Sequence, residues 1–318
     1  MITIDLITGF LGSGKTTFLQ RYADYFLRQG QRIGILVNDY GAVNVDRMLL
    51  QALQSDRCDI ETVAGACDAD CHRRRFKTKL IAMGMNGYDR VLVEPSGIFD
   101  TDEFFDTLQE APLDSWYRIG SVITIAEAGL PEAVSEESAY WLATQSAQAG
   151  VILLSKTQLF PPEQTETALA YLRTVTEAFC GQSLTCPLMT KPWTALEDTD
   201  FAAIAASGYH HADFIKRYQE PSSYRSLYYM NQNLSQQTFR RLAEALLKDD
   251  ACGQVLRLKG YLRENDTWIA CNADRTSVTL TPAEEGQDIL LVIGEHLHKE
   301  VIDHYFASAA CGGSKNKE

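Results

Sequence analysis

The feature that constrains this chain most is the glycine-rich segment at residues 9–16, which reads Gly-Phe-Leu-Gly-Ser-Gly-Lys-Thr. It directly follows the apolar run at residues 2–8 and opens an amphipathic helical pattern over residues 16–29. In such a strand–turn–helix unit, backbone N–H groups surround a phosphate chain and the helix N-terminus adds a partial positive charge. The segment therefore predicts a P-loop nucleotide-binding domain.

Each polar residue of this loop has an expected role. Lys15 reaches the β- and γ-phosphates, and the Thr16 hydroxyl ligates Mg²⁺. We expect Lys15 to be exposed when no nucleotide is bound. The residues predicted to contact the nucleotide here are Gly9, Gly12, Ser13, Gly14, Lys15, Thr16 and Thr17.

A second segment, residues 90–97, reads Arg-Val-Leu-Val-Glu-Pro-Ser-Gly. Glu94 ends an apolar run, so a buried strand would place its carboxylate at the carboxyl edge of the sheet, where it can hold Mg²⁺ through water. Gly97 is three residues further and can offer its N–H to the γ-phosphate. This segment is therefore the predicted sensor of triphosphate against diphosphate.

The order of apolar runs predicts the fold class. Near-continuous runs at residues 33–37, 90–94, 121–125 and 151–154 alternate with helical patterns, which is typical of a parallel sheet with helical crossovers. We predict an α/β P-loop NTPase domain over residues 1–210, with a mostly parallel sheet flanked by helices. Asp5 in the first strand is expected to face solvent.

The pattern changes after about residue 207. Alternating strand patterns and two helical patterns predict a smaller α+β domain over residues 222–308, followed by a disordered tail at 309–318. The segments at 207–211 and 220–223 have the composition of linkers.

Composition excludes several classes of protein. The net charge is −13, which argues against nucleic-acid or anionic-membrane partners. No run of about 18 apolar residues predicts a membrane span. The eight cysteines have irregular spacings and the N-terminus has no export-signal pattern, so we expect reduced thiols and a cytoplasmic location.

Taken together, these motifs resemble the CobW/HypB/UreG family of P-loop GTPases, and most closely its CobW-like branch. The phosphate loop, the Glu94-Pro-Ser-Gly97 segment and the switch-like segment at 38–46, Asn-Asp-Tyr-Gly-Ala-Val-Asn-Val-Asp, carry the resemblance over residues 1–193. It implies slow GTP hydrolysis coupled to metal delivery or metalloenzyme maturation. A client metalloprotein or cofactor-assembly protein is the implied partner, and a homodimer is one option for its assembly.

The resemblance also implies the catalytic residues. Lys15 would neutralise phosphate charge, while Asp39 and Glu94 would hold the outer shell of Mg²⁺ or orient the attacking water.

The metal motif of the family is altered in this chain. Relatives carry Cys-x-Cys-Cys, whereas here Cys67 and Cys71 are four residues apart and His72 follows. On a helix, two residues at this spacing share a face, so the thiolates can bind one metal ion, and His72 joins them only if the helix ends there. Zn²⁺, Co²⁺ or another transition metal suits these ligands. The alternative is a pair of reduced thiols that binds no metal.

The base-recognition motif of GTPases, Asn-Lys-x-Asp, appears here as Ser155-Lys156-Thr-Gln158. A neutral amide at Gln158 replaces a carboxylate that accepts two N–H bonds from guanine, a loss of about 1–3 kcal/mol. GTP preference is therefore expected to be weakened, and ATP stays an alternative. An ATP-dependent small-molecule kinase and a nucleotide-binding module without hydrolysis are the alternative functions.

Overall fold

The computed structural model describes residues 1–39, 50–64, 69–130, 134–212, 214–217 and 223–312. The chain divides into two compact units, Met1–Glu220 and Pro221–Glu318. Residues 40–46 of the switch-like segment lie outside the described residues, and so does Cys67.

The first unit is built on a seven-stranded sheet whose neighbouring strands all run parallel, in the order β3-β2-β4-β1-β5-β6-β7. The strands are β1 Ile2–Gly9, β2 Ile33–Asp39, β3 Cys58–Ala64, β4 Arg90–Glu94, β5 Tyr117–Glu127, β6 Val151–Ser155 and β7 Leu188–Met189. The helices are α1 Lys15–Arg28, α2 Ala69–Gly84, α3 Thr101–Gln109, α4 Leu113–Trp116, α5 Glu136–Ala147, α6 Pro162–Cys180 and α7 Asp198–Ala205. The predicted P-loop α/β fold is confirmed.

Burial explains why these segments form strands. All eight residues of β1 are buried, because helices pack on both faces of the sheet. Strand β3 was not predicted from the sequence, because Asp59 and Glu61 interrupt its apolar pattern. This strand pairs with β2 alone among the described strands and forms the edge of the sheet, where polar side chains reach solvent.

Asp5 does not face solvent, so that prediction is wrong. Its side chain is 0% exposed, because β1 lies in the middle of the sheet and is covered on both faces. The carboxylate accepts hydrogen bonds from the Arg90 guanidinium, from the Tyr22 hydroxyl at 3.0 Å and from the backbone N–H of Ser121 at 2.9 Å. An ion pair therefore lies inside the first unit.

The second unit is α+β, as predicted. Its antiparallel sheet has the order β11-β10-β9-β12-β8, formed by β8 Tyr224–Met230, β9 Gln254–Glu264, β10 Thr267–Asp274, β11 Val278–Ala283 and β12 Ile289–Glu295. Two helices, α8 Gln236–Leu246 and α9 Lys299–Gly312, complete it. Ser235 caps α8 by accepting the N–H of Thr238 at 3.2 Å. Helix α9 continues to Gly312, which corrects the predicted tail boundary at 309.

The segment predicted as a linker at 207–211 contacts the first unit instead. The carbonyl oxygen of Gly208 accepts the N–H of Val122 at 2.9 Å, and the N–H of His210 donates to the carbonyl oxygen of Gln148 at 3.1 Å. These bonds hold the end of the predicted 1–210 domain against the sheet, and the compact unit continues to Glu220. Within the described parts of the chain, no helix is both long enough and apolar enough to cross a bilayer.

Candidate functional site

The glycine-rich loop joins β1 to α1, as the sequence predicted, and its shape depends on glycine. Gly9, Gly12 and Gly14 have φ values of 140°, 77° and 99°. A Cβ atom added at Gly9 would lie 2.2 Å from the carbonyl oxygen of Ile125, whereas one added at Gly12 would meet nothing within 4 Å. Glycine backbones of this kind can form concave rows of N–H groups that bind anions.

Lys15 is buried within this loop, at 7% exposed, so the expectation of an exposed lysine is wrong. Its ammonium donates to the carbonyl oxygens of Gly9 at 2.8 Å and Phe10 at 3.3 Å. The physical reason is that the loop curls around the lysine, whose charge is stabilised by the carbonyl dipoles. The ammonium therefore lies inside the loop.

A hydroxyl and a carboxylate meet beside the loop. The Thr16 hydroxyl donates to Oε1 of Glu94 at 2.7 Å, and both side chains are buried. These are hard oxygen ligands of the type that Mg²⁺ prefers. In addition, the buried Ser13 hydroxyl has no hydrogen-bond partner among the described residues, so it is available to a phosphate oxygen. The residues present therefore fit a phosphate chain with Mg²⁺.

The turn after Glu94 approaches the same loop closely. A Cβ atom added at Gly97 would lie 2.5 Å from the backbone nitrogen of Leu11, so no larger residue fits there without a shift. The structure thus brings together Lys15, Thr16, Glu94 and Gly97, which come from two segments about 80 residues apart in the sequence.

The predicted base-recognition residues lie at the carboxyl end of β6. Ser155 ends the strand and is buried, Lys156 has a left-handed φ of 59°, and Gln158 is exposed. The Lys156 ammonium lies 3.1 Å from Oε2 of Glu127, a carboxylate at the end of β5 that sequence reasoning did not select. This places a negative charge next to the lysine that the motif assigns to the base.

Trp193 lies against the phosphate loop and was not predicted from the sequence. A Cβ atom added at Gly14 would lie 2.8 Å from the Trp193 ring and 3.9 Å from Cβ of Ser155. Arg21 of α1 donates to the carbonyl oxygen of Trp193, and the ring packs edge-on against Phe18 with centroids 5.7 Å apart. The signal was available, because Trp193 soon follows β7 and the carboxyl ends of parallel strands share one edge of the sheet.

Two further predicted site residues are Thr17 and Asp39. Thr17 is exposed on α1, next to the buried pair Lys15 and Thr16. Asp39 ends β2, where its backbone pairs with Ala64.

The thiol segment is described from Ala69 onward. Cys71 is half-buried near the start of α2, whereas the next residue, His72, is fully buried with Nδ1 3.7 Å from Oε1 of Glu103. Helix α2 continues to Gly84, so the condition under which His72 would join the two thiolates is not met. Among the residues that the structure describes, no three His, Cys, Asp or Glu side chains cluster as a metal site.

Residues 3–179 match the family model described as CobW/HypB/UreG, nucleotide-binding domain. The chain is 27% identical over 164 residues to the zinc chaperone YeiR of Escherichia coli K12, covering 51% of this chain and 49% of that protein. It is 28% identical over 167 residues to the zinc chaperone YjiA of the same strain, covering 50% of each chain. This chain therefore spans about half the length of the curated relatives it matches.

A eukaryotic relative and a solved structure extend the comparison. The zinc-regulated GTPase metalloprotein activator 1 of Schizosaccharomyces pombe is 24% identical over 169 residues, covering 51% of this chain and 40% of its own. The crystal structure of Zn(II)-bound YjiA GTPase from E. coli aligns over 97% of this chain and 98% of its own, with 19% identity and a TM-score of 0.38.

Proposed function

This chain belongs to the CobW/HypB/UreG family, and on that premise we propose that it binds GTP with Mg²⁺ and hydrolyses it slowly to drive metal delivery. The observation that carries the proposal is the meeting of Lys15, Thr16, Glu94 and Gly97 at the carboxyl edge of the sheet. Zinc is the proposed cargo, because relatives are named zinc chaperones. The receiving partner would be a client metalloprotein in the cytoplasm.

Each residue of the site has a separate proposed role in hydrolysis. Lys15 would neutralise the phosphates, and Thr16 directly and Glu94 through water would hold Mg²⁺, which would supply charge stabilisation at the leaving oxygens. The N–H of Gly97 is the proposed donor to the γ-phosphate. Asp39 at the end of β2 is the proposed residue for orienting water. Such sites position groups and stabilise charge, so a slow turnover suits a switch.

Phosphate release tests this function directly. We expect GTP to release phosphate in the presence of Mg²⁺ and not after chelation, and the rate to respond to added zinc. Formation of GDP without free phosphate, dependent on a small-molecule acceptor that takes up the phosphoryl group, would identify a kinase instead. Tight binding without any release would identify a nucleotide-binding module, and either result would overturn the proposal.

Base selectivity gives the first mutational prediction. Because Gln158 offers one neutral acceptor where a carboxylate would accept two N–H bonds, we expect GTP to bind less than about tenfold tighter than ATP. Gln158→Asp is expected to raise that ratio by about tenfold, a gain of about 1.4 kcal/mol. Gln158 is exposed, so the substitution leaves the fold intact. Calorimetric titration of both proteins with GTP and ATP measures the two ratios.

Gln164→Asp is the matched control, because Gln164 is also exposed and lies in the following helix, α6. It changes the net charge equally and should leave the ratio unchanged. If the wild type binds GTP about a thousandfold more tightly than ATP, the neutral side chain of Gln158 does not weaken guanine recognition. Glu127, which lies beside Lys156, would then be the carboxylate to test as the guanine acceptor.

Metal binding gives the second prediction. We propose that Cys67 and Cys71, without His72, bind one Zn²⁺ or Co²⁺ ion, and that Cys67→Ser/Cys71→Ser lowers the stoichiometry by one. Thiolates bind metals in the deprotonated form, so affinity should fall as the pH falls. Titration of reduced wild type and double mutant with Co²⁺, each with GDP and with a non-hydrolysable GTP analogue, measures both effects.

Cys186→Ser provides the control for this titration. Burial raises the pKa of the Cys186 thiol to about 11, so it is a poor thiolate donor near neutral pH and its loss should not change the stoichiometry. If nucleotide state and metal are coupled, each must change the affinity for the other by the same factor. Equal metal stoichiometry in wild type and double mutant would rule out the thiol pair as the site.

A further inference from the structure

The turn that follows Glu94 is held by a side chain from a different part of the first unit. Gln145 lies in α5, is 0% exposed, and donates its Nε2 amide to the carbonyl oxygen of Gly97 at 3.1 Å. The same amide lies 3.5 Å from the carbonyl oxygen of Phe99. One buried donor therefore bridges two carbonyls of the turn, 48 residues away in the sequence.

Two more side chains hold the end of the turn, where α3 begins. Gln148 donates to Oδ1 of Asp102 at 2.6 Å. Lys216 donates to Oδ2 of Asp100 at 2.9 Å and lies 3.4 Å from Oδ2 of Asp102. Asp100 is also the N-cap of α3, since it accepts the N–H of Asp102 at 3.0 Å. The start of α3 is thus held by Gln148, at the end of α5, and by Lys216.

These contacts determine where Gly97 lies. On one side the glycine abuts the backbone of Leu11 in the phosphate loop, with room for no side chain. On the other side its carbonyl is fixed by Gln145. A carbonyl buried in this way costs free energy if its donor is removed, so the position of the turn depends on that amide.

We propose that Gln145 is a positioning residue that holds the Gly97 turn against the phosphate loop and sets how strongly the site distinguishes a nucleoside triphosphate from a diphosphate. The inference rests on the proposed function, because the group that the turn would sense is the γ-phosphate. Without the hydrogen bond from Gln145, the turn samples other positions. A triphosphate must then order the turn when it binds, and the free energy spent on this ordering lowers the affinity for the triphosphate. A diphosphate does not contact the turn and is unaffected.

The test compares Gln145→Met, which keeps the side-chain length and loses the amide, with Thr144→Val as a matched control. Thr144 is buried in the same helix and donates to the carbonyl oxygen of Trp141, which also belongs to α5. Affinities are measured for GDP and for a non-hydrolysable GTP analogue. We expect Gln145→Met to weaken the analogue about tenfold and GDP less than about twofold, with both affinities unchanged in Thr144→Val.

Hydrogen exchange of residues 97–109 in nucleotide-free protein provides a readout that does not depend on nucleotide binding. Faster exchange there in Gln145→Met, and not in Thr144→Val, is the expected result. Gln145→Asn, whose amide is one methylene too short, should behave like Gln145→Met and serves if the latter does not fold. Unchanged exchange, or equal weakening of both nucleotides, would overturn the proposal. Wild type that binds neither nucleotide would overturn the proposed function, while exchange would still decide whether Gln145 holds the turn.

Discussion

Replacing Lys15 with alanine is expected to weaken GTP binding by at least about a hundredfold, a loss of about 3 kcal/mol. The ammonium would contact two phosphates, and a hydrogen bond to a charged group contributes about 1.5–3 kcal/mol. ATP should lose affinity equally, because the lysine does not contact the base. Calorimetric titration with both nucleotides measures the loss.

The burial of Lys15 changes how this experiment is controlled. Because the side chain is 7% exposed and bonded to the carbonyls of Gly9 and Phe10, alanine removes packing and two hydrogen bonds as well as charge. Lys15→Met keeps most of the packing and removes the charge, so it isolates the electrostatic part. Both variants should lose nucleotide binding, with the smaller loss of melting temperature in Lys15→Met. Unchanged affinity in either variant would show that the loop does not bind the triphosphate through this lysine.

The phosphate loop could be predicted from the sequence because its determinants are local. Eight consecutive residues specify the turn, and the apolar run before them specifies the strand. The approach of Glu94 could also be predicted, since residues at the carboxyl ends of neighbouring parallel strands meet at one edge of the sheet. Rules of this kind need no knowledge of side-chain packing.

Gln145 and the Asp5–Arg90 pair could not be predicted in this way. Their contacts join residues 48 and 85 positions apart, and they depend on how helices and strands pack together. A lone glutamine in a helical pattern, or a lone aspartate in an apolar strand, has no sequence signal that names its partner. The thiol segment could be predicted only in part. The spacing of the two cysteines predicts that they share a helix face, but the continuation of α2 beyond His72 depends on how that helix packs in the core.

The Asp5–Arg90 pair gives the largest expected effect on stability. Asp5→Ala is expected to lower the free energy of unfolding of the first unit by about 3–5 kcal/mol, because it leaves the Arg90 guanidinium and the Tyr22 hydroxyl without their acceptor inside the protein. Burial raises the pKa of Asp5, and the charge of Arg90 opposes that effect, so the carboxylate depends on its partner. The carboxylate also leaves no room for a side chain at residue 120, since a Cβ atom added at Gly120 would lie 2.2 Å from Oδ1 of Asp5.

Urea denaturation followed by tryptophan fluorescence measures this change, since Trp116, Trp141 and Trp193 all lie in the first unit. Asp24→Ala is the matched control, because its pair with Arg28 is exposed, with 57% and 49% of the side chains accessible, and its loss should cost no more than about 0.5 kcal/mol.

The double variant Asp5→Leu/Arg90→Met removes both charges and should be more stable than Asp5→Ala, since breaking a buried pair costs more than replacing it with apolar groups. A double variant no more stable than Asp5→Ala would mean that the hydrogen bonds of Asp5 to Tyr22 and Ser121, rather than its ion pair, stabilise the centre of the sheet.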